Sequence, residues 1–224
     1  PLYNGRTLLV SKTPAQGVVL ALHGCDGPGA SGYNKVWGDY FNALGFDYYA
    51  PNSFSEPRPK ALCRETDPRL ARQRTEITNI RIAQTQRTIA ILRAKYPKKP
   101  IYIWGHSEGA YIAKRLVTKV SGVIASGDDC DVGGLPVAAH TSVPVLYMFG
   151  ENDPVVDGLD KPITNKNAQK CKRFVRSKKT QIAVIRNAAH DLYPWREDIA
   201  KAVSSFVGAT TSGHPKPIEK ITFP

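Results

Sequence analysis

The clearest chemistry in the sequence lies in five consecutive residues, Gly105-His106-Ser107-Glu108-Gly109. A serine hydroxyl is a weak nucleophile until a base takes its proton, and it reacts best when a sharp turn lifts it clear of the backbone at a helix N-terminus. The G-x-S-x-G spacing supplies such a turn, because glycine on either side permits a strained backbone and close packing. The flanks agree. Ile101-Tyr-Ile-Trp104 reads as a buried strand and Ala110 to Leu116 as the start of a helix. A base is expected at His190, in the loop Asn187-Ala-Ala-His-Asp191 just beyond the apolar run Gln181 to Ile185. The acid that orients it should leave the preceding strand. Val143 to Phe149 runs into Gly150-Glu-Asn-Asp-Pro154, which favours Asp153, since Asp before Pro commonly starts a turn that fixes its side chain. Asp128, Asp129, Asp131 and Glu151 stand near strand ends as alternatives.

Acyl transfer through a serine also needs two backbone N–H groups aimed at the oxygen that gains charge. One is expected from Glu108, directly after the serine. The other is expected from Cys25, through its backbone, in the Gly-rich turn Leu22-His-Gly-Cys-Asp-Gly-Pro-Gly29. His23 and His106 each adjoin a tight glycine turn and read as packed structural histidines rather than bases. His140 and His214 read as solvated. Tyr33, Trp37, Tyr193 and Trp195 flank these segments and are candidates to line a substrate cleft, against the plainer reading that they pack the core.

Positioning these groups requires strands that end together. Short β-branched and apolar runs alternate with helical stretches: strands at Thr7 to Val10, Val18 to Leu22, Asp47 to Ala50, Ile101 to Trp104, Gly122 to Ser126, Val143 to Phe149 and Gln181 to Ile185. Helices are expected over Tyr33 to Leu44, from Asp67-Pro68 to Lys95, over Ser107 to Lys119, Thr164 to Ser177 and Pro194 to Val207. In the long second helix, Leu70, Ile77, Ile80, Ile89 and Leu92 form the buried face, and Arg69, Arg72, Arg81 and Arg87 are expected in water. The strands are apolar throughout, which is the pattern of a mostly parallel sheet covered by helices on both faces. The fold class is α/β, with one domain over residues 1–207 and a Gly/Thr/Ser/Pro-rich tail over 208–224. Asn52 to Pro68 is a long Pro-rich loop. No helical insertion separates the strand at 122–126 from Val143, so no large lid is expected and the site should be open.

Composition narrows the classes. With 42% hydrophobic and 22% charged residues, the 224-residue chain falls in the globular range. No stretch approaches the roughly 18 apolar residues of a membrane helix. A net charge of +12 favours anionic contacts and opposes self-association, and a monomer is expected. Cys25, Cys63, Cys130 and Cys171 lack zinc spacing, so no metal and no cofactor is expected. Their even count suits two disulfides in an oxidising compartment, set against four reduced thiols. A periplasmic or secreted location with a removed export signal follows, and a cytoplasmic one stays open.

On His23-Gly-Cys-Asp-Gly27, Pro51-Asn-Ser-Phe54, Gly105-His-Ser-Glu-Gly109, Gly150-Glu-Asn-Asp-Pro154 and His190, the sequence resembles the dienelactone hydrolase group of α/β-hydrolases, especially its small exported bacterial members. The resemblance runs from about Val18 to Phe206. It implies an α/β-hydrolase fold, Ser107, Asp153 and His190 as a catalytic triad, and Cys25 and Glu108 as oxyanion donors. It also implies a small-molecule acyl substrate, with no nucleic acid. Founding members of that group carry Cys where this chain has Ser107, so their lactone substrate is not carried over. The leading reading is a serine esterase. A silent scaffold that binds an anionic partner, and a triad directed at peptide or thioester bonds, are the competing readings. Cys25 with Cys63 and Cys130 with Cys171 would staple the rim of the site, a pairing that spacing alone does not decide.

Overall fold

The computed structural model describes residues 7–9, 14–28, 33–54, 70–116, 120–128, 143–154 and 180–210. Cys63, Cys130, Cys171, Asp129, Asp131, His140, His214, the helix expected at 164–177 and the segment that bears on a lid fall outside them.

Among the described residues, seven strands form one sheet: β1 (Thr7–Leu9), β2 (Gly17–Leu22), β3 (Phe46–Ala50), β4 (Ile101–His106), β5 (Gly122–Ser126), β6 (Val145–Gly150) and β7 (Thr180–Ile185). Their spatial order is β1-β3-β2-β4-β5-β6-β7. Only the edge pair β1 with β3 is antiparallel, and β2 to β7 run parallel. Parallel strands need crossovers, and among the described residues α1 (Tyr33–Ala43), α2 (Ala71–Lys95) and α3 (Glu108–Ala113) lie in them, while α4 (Glu197–Thr210) follows β7. Together these helices cover both faces.

The period of two along β2 explains why an all-apolar strand is required. Val18, Leu20 and Leu22 pack with Ile89, Leu92 and Tyr96 of the α2 segment and with Ile112 and Leu116. Val19 and Ala21 point the other way, to Trp37, Tyr40 and Phe41 of α1 and to Ile199, Val203 and Phe206 of α4. Neither face meets water, so neither face can be polar.

Register then sets the working edge. Leu22 pairs with Gly105, His106 with Ser126, Ser126 with Met148 and Gly150 with Ile185. The carboxyl ends of β2, β4, β5, β6 and β7 are therefore level, and the residues that follow them leave the sheet along one edge. Ligand sites of parallel sheets lie at that edge.

α3 ends at Ala113 rather than near Lys119, where the Arg115 and Leu116 N–H groups turn to the carbonyls three residues back, and both ends of α4 also differ from expectation. α4 begins at Glu197 rather than Pro194, because Tyr193 to Arg196 close a turn (Arg196 N–H to Tyr193 O, 3.3 Å) and Glu197 and Asp198 suit the positive end of the helix. It also runs through Gly208 to Thr210, so the chain does not leave the helix at 208. Phe206 and Val207 are buried one turn earlier, and packing outweighs the roughly 1 kcal/mol helix penalty of a glycine.

Phe206 is wholly buried and touches Tyr102 of the central strand edge to face, with ring centroids 6.4 Å apart. Phe206→Ala is expected to lower unfolding free energy by about 3–5 kcal/mol in urea titrations. A loss under about 1 kcal/mol would contradict the placement of α4 in the core.

Candidate functional site

β4 ends in an abrupt turn at Ser107, whose backbone has φ 54° and ψ −123°, a region that residues with a side chain rarely occupy. The flanking glycines make it feasible. A Cβ on Gly105 would lie 2.3 Å from the Gly109 carbonyl oxygen, and one on Gly109 would lie 2.0 Å from the Leu22 carbonyl oxygen. Backbone bonds lock the turn: Ser107 N–H donates to Ser126 O at 2.8 Å, while Ser107 O accepts from Ala110 and Tyr111 as α3 begins. Glu108 is the first residue of that helix, so its N–H has no partner within the helix.

The ends of β6 and β7 are joined in the same manner. Glu151 N–H donates to Ile185 O at 2.9 Å and Asn152 N–H to Ala188 O at 2.8 Å. A Cβ at Gly150 would lie 2.0 Å from Ala189 O, so the two loops are in direct backbone contact. That contact sets Asp153 against His190, with Oδ2 and Nδ1 2.8 Å apart. Asp153 is 1% exposed and His190 is partly exposed. An ionised carboxylate only accepts, so this hydrogen bond is donated by His190 Nδ1. Of the other described carboxylates expected near strand ends, Asp128 pairs with the buried ammonium of Lys114, and Glu151 accepts the Asn187 N–H at 2.9 Å.

The His190 ring lies 4.7 Å from the ring of His106, and Gly127 touches both. Ser107 follows His106 directly, which brings the expected nucleophile and base to one corner of the edge. Among the described residues, no hydrogen bond joins the Ser107 hydroxyl to the His190 ring. His106 is itself buried, with Nε2 3.3 Å from Asp191 Oδ1. Burial lowers its pKa, against the opposing hydrogen bond to Asp191, so it stays neutral beside His190.

The expected cleft residues divide. Trp37 is wholly buried and donates from Nε1 to Leu192 O at 3.1 Å, so it belongs to the core rather than to a cleft. Tyr33 donates to the same carbonyl at 2.9 Å and packs 4.8 Å from the His106 ring. Tyr193 lies 5.0 Å from Tyr33 and stacks on Trp195 at 4.0 Å, and Trp195 is 53% exposed. An aromatic series thus runs from His106 to the surface.

Arg81 is a second correction. It was expected in water and is 1% exposed. Its guanidinium donates to Glu108 Oε2 at 2.8 Å and to the His23 carbonyl at 2.5 Å, and lies 5.3 Å above the Phe54 ring. Helical spacing carried the signal, since Ile77, Arg81, Thr85, Thr88 and Leu92 fall on one stripe of α2 and are all buried. Ile80, one position off that stripe, is exposed rather than buried. Arg72 and Arg87 are exposed as expected, and Arg69 lies outside the described residues.

His23 occupies the turn after β2. Ser53 N–H donates to its Nε2 at 3.0 Å, so Nδ1 bears the proton and donates to Gly24 O at 2.7 Å. Burial, with the Arg81 charge adding to it, lowers its pKa from 6.5 to about 3. A Cβ on Gly24 would lie 3.5 Å from Ser107 Cβ, and Cys25 follows it with a disulfide bond whose partner lies outside the described residues. Among the described residues, no group of three His, Cys, Asp or Glu side chains is arranged to hold a metal, and no helix is long and apolar enough to cross a membrane.

The sequence matches no protein-family model and no curated relative. Solved structures do match. A cold-adapted esterase from an Arctic intertidal metagenomic library aligns with a TM-score of 0.69 at 16% identity, over 92% of this chain and 89% of that one. The protein TT1662 of Thermus thermophilus gives 0.68 at 19%, over 93% and 94%. A monoacylglycerol lipase of Paleococcus ferrophilus gives 0.64 at 14%, over 92% and 98%. At these identities the likeness is one of fold, and the chain has the α/β-hydrolase fold.

The state of His23 fixes a sign. Between pH 6.5 and about 3 the unfolded chain binds a proton that the folded ring refuses, so stability falls as pH drops through that window, by up to about 1.4 kcal/mol per unit. The check is an NMR titration: the ring signals of His23 should stay at their neutral shifts down to pH 4. A midpoint near 6.5 would contradict the buried, neutral ring.

Proposed function

We propose that the protein is a serine hydrolase that cleaves a carboxylic ester of a small molecule through an acyl-enzyme. The observation that carries this reading is the strained Ser107 turn set at one sheet edge with the Asp153–His190 pair. The names of two structural neighbours, an esterase and a monoacylglycerol lipase, favour an ester over other acyl bonds.

In this reading Ser107 Oγ attacks the ester carbonyl carbon and its proton passes to His190 Nε2. Asp153, buried and already accepting from Nδ1, holds the ring and stabilises the imidazolium. The carbonyl oxygen becomes an oxyanion before the backbone N–H groups of Cys25 and Glu108. Collapse of the tetrahedral intermediate breaks the C–O bond, and the alcohol leaves with the proton from His190. Water then attacks the acyl-serine and gives a proton to His190, and collapse of this second tetrahedral intermediate breaks the C–Oγ bond, Ser107 Oγ taking the proton back from His190 as the acid leaves. Approach of Nε2 to Oγ completes the relay, and such bonds commonly tighten only when substrate is bound.

A neutral His106 serves the same end. A second positive ring at 4.7 Å would raise the cost of the imidazolium on His190, and burial of His106 prevents it. Tyr193 and Trp195 offer an apolar wall on the His190 side for part of the substrate. Likeness to the dienelactone hydrolase group fits this assignment, with Ser107 in place of that group's cysteine. The disulfide at Cys25 favours an oxidising compartment, periplasmic or extracellular.

Ser107→Ala is expected to abolish turnover of a short p-nitrophenyl ester and labelling by a fluorophosphonate probe, with far-ultraviolet circular dichroism unchanged. The loss should be at least about a thousandfold. Equal labelling of wild type and variant would overturn the proposal.

A further inference from the structure

We infer that Arg81 and His23 form a clamp that aims the oxyanion donors at the nucleophile, with Arg81 as a positioning residue. The inference rests on the hydrolase reading above. It starts from the geometry of one peptide. In a trans peptide the C=O and N–H point in opposite directions. His23 Nδ1–H holds Gly24 O at 2.7 Å, so the N–H of Cys25, on the far side of the same peptide unit, is turned away from the His23 ring. The residue before it lies beside the nucleophile, since a side chain begun at Gly24 would stand 3.5 Å from Ser107 Cβ.

Free rotation of that peptide would point its carbonyl oxygen at the developing charge, which is the reverse of what catalysis needs. Three contacts oppose rotation. The His23 ring is held at its other nitrogen by Ser53 N–H, and its edge meets Phe54 at 4.7 Å between centroids. The His23 carbonyl, which lies in the adjoining peptide, is held by Arg81 at 2.5 Å. The other arm of the Arg81 fork holds the side chain of Glu108, whose backbone supplies the second donor. One guanidinium on α2 therefore spans the two segments that must converge, the turn after β2 and the first residue of α3. Its planar fork suits two acceptors at a fixed separation, which a lysine ammonium on a flexible stem does not reproduce.

Burial gives the arrangement its stiffness. Arg81 is almost fully enclosed, so its two bonds compete with little water and the charge is balanced by Glu108 alone among the described carboxylates within hydrogen-bond reach. A solely structural arginine would stabilise the fold without favouring the transition state over bound substrate. A clamp on the donors acts on the transition state specifically.

The test uses the oxidised full chain with its disulfides intact and compares wild type, Arg81→Lys and Arg81→Met. Measured quantities are kcat and KM for a p-nitrophenyl ester, the inhibition constant of a trifluoromethyl ketone, which forms a tetrahedral adduct, and Tm. In Arg81→Lys, kcat is expected to fall by about 10- to 100-fold, part of the loss typical for removing a donor outright. KM should move less than threefold. Affinity for the ketone should fall in parallel with kcat/KM across the series. Where Arg81→Met does not fold, the charge-preserving Lys variant decides. A folded Arg81→Lys chain with kcat and ketone affinity within twofold of wild type would overturn the clamp and leave the hydrolase reading intact. Activity loss that only tracks the unfolded fraction would overturn the clamp as well. A wild-type chain with no Ser107-dependent turnover would overturn the hydrolase reading, and the clamp with it.

Discussion

The carbonyl oxygen of Leu22 sits 2.0 Å from where a side chain on residue 109 would begin, and most of the site depends on that close approach. It brings the end of β2 against the first turn of α3, so Ser107 must turn within a single residue. The cost is a backbone at φ 54°, worth about 1–3 kcal/mol of strain, which the surrounding contacts must hold. They do so from several sides: the Ser126 carbonyl on the neighbouring strand, the first hydrogen bonds of α3, and the Arg81 fork from α2. An alanine at 105 or 109 would push apart the end of β2, the Ser107 turn and the first turn of α3.

Charge inside this edge is arranged in pairs, and each pair leaves one atom free to act or one segment fixed. Asp153 accepts a hydrogen bond from His190 Nδ1 and fixes the orientation of the ring. Glu108 balances Arg81, and Asp128 balances the buried Lys114, tying the turn after β5 to α3. His23 and His106 are kept neutral by burial, so neither adds positive charge to this edge. Of the many basic residues behind the net charge of +12, Arg72 and Arg87 are exposed on α2.

The parallel sheet was legible because strands covered on both faces must be apolar throughout, and β2, β4, β5 and β6 are. The serine turn was legible because its glycines are required by contacts under 2.5 Å, which leave a fixed pattern in the sequence. Asp153 could be singled out because Asp before Pro at a strand end is a local signal. Other features were not local. For Trp37 the sequence leaves cleft and core both open, because aromatic type does not reveal which side of α1 faces the sheet. Arg81 was assigned to water because residue type outweighed position, although its place on the Ile77 to Leu92 stripe marked it as buried. What compensates a buried cation here lies in residues 23 and 108, far from it along the chain, and no window of sequence contains all three.

The most direct measurement is a crystal structure of the chain after reaction with a fluorophosphonate, whose tetrahedral phosphorus mimics the intermediate. The account predicts phosphorus bonded to Ser107 Oγ and one phosphonyl oxygen about 2.7–3.1 Å from the backbone nitrogens of both Cys25 and Glu108, with His190 Nε2 on the opposite side. A phosphonyl group on another residue, or an oxygen that meets the Gly24 carbonyl in place of the Cys25 N–H, would contradict it.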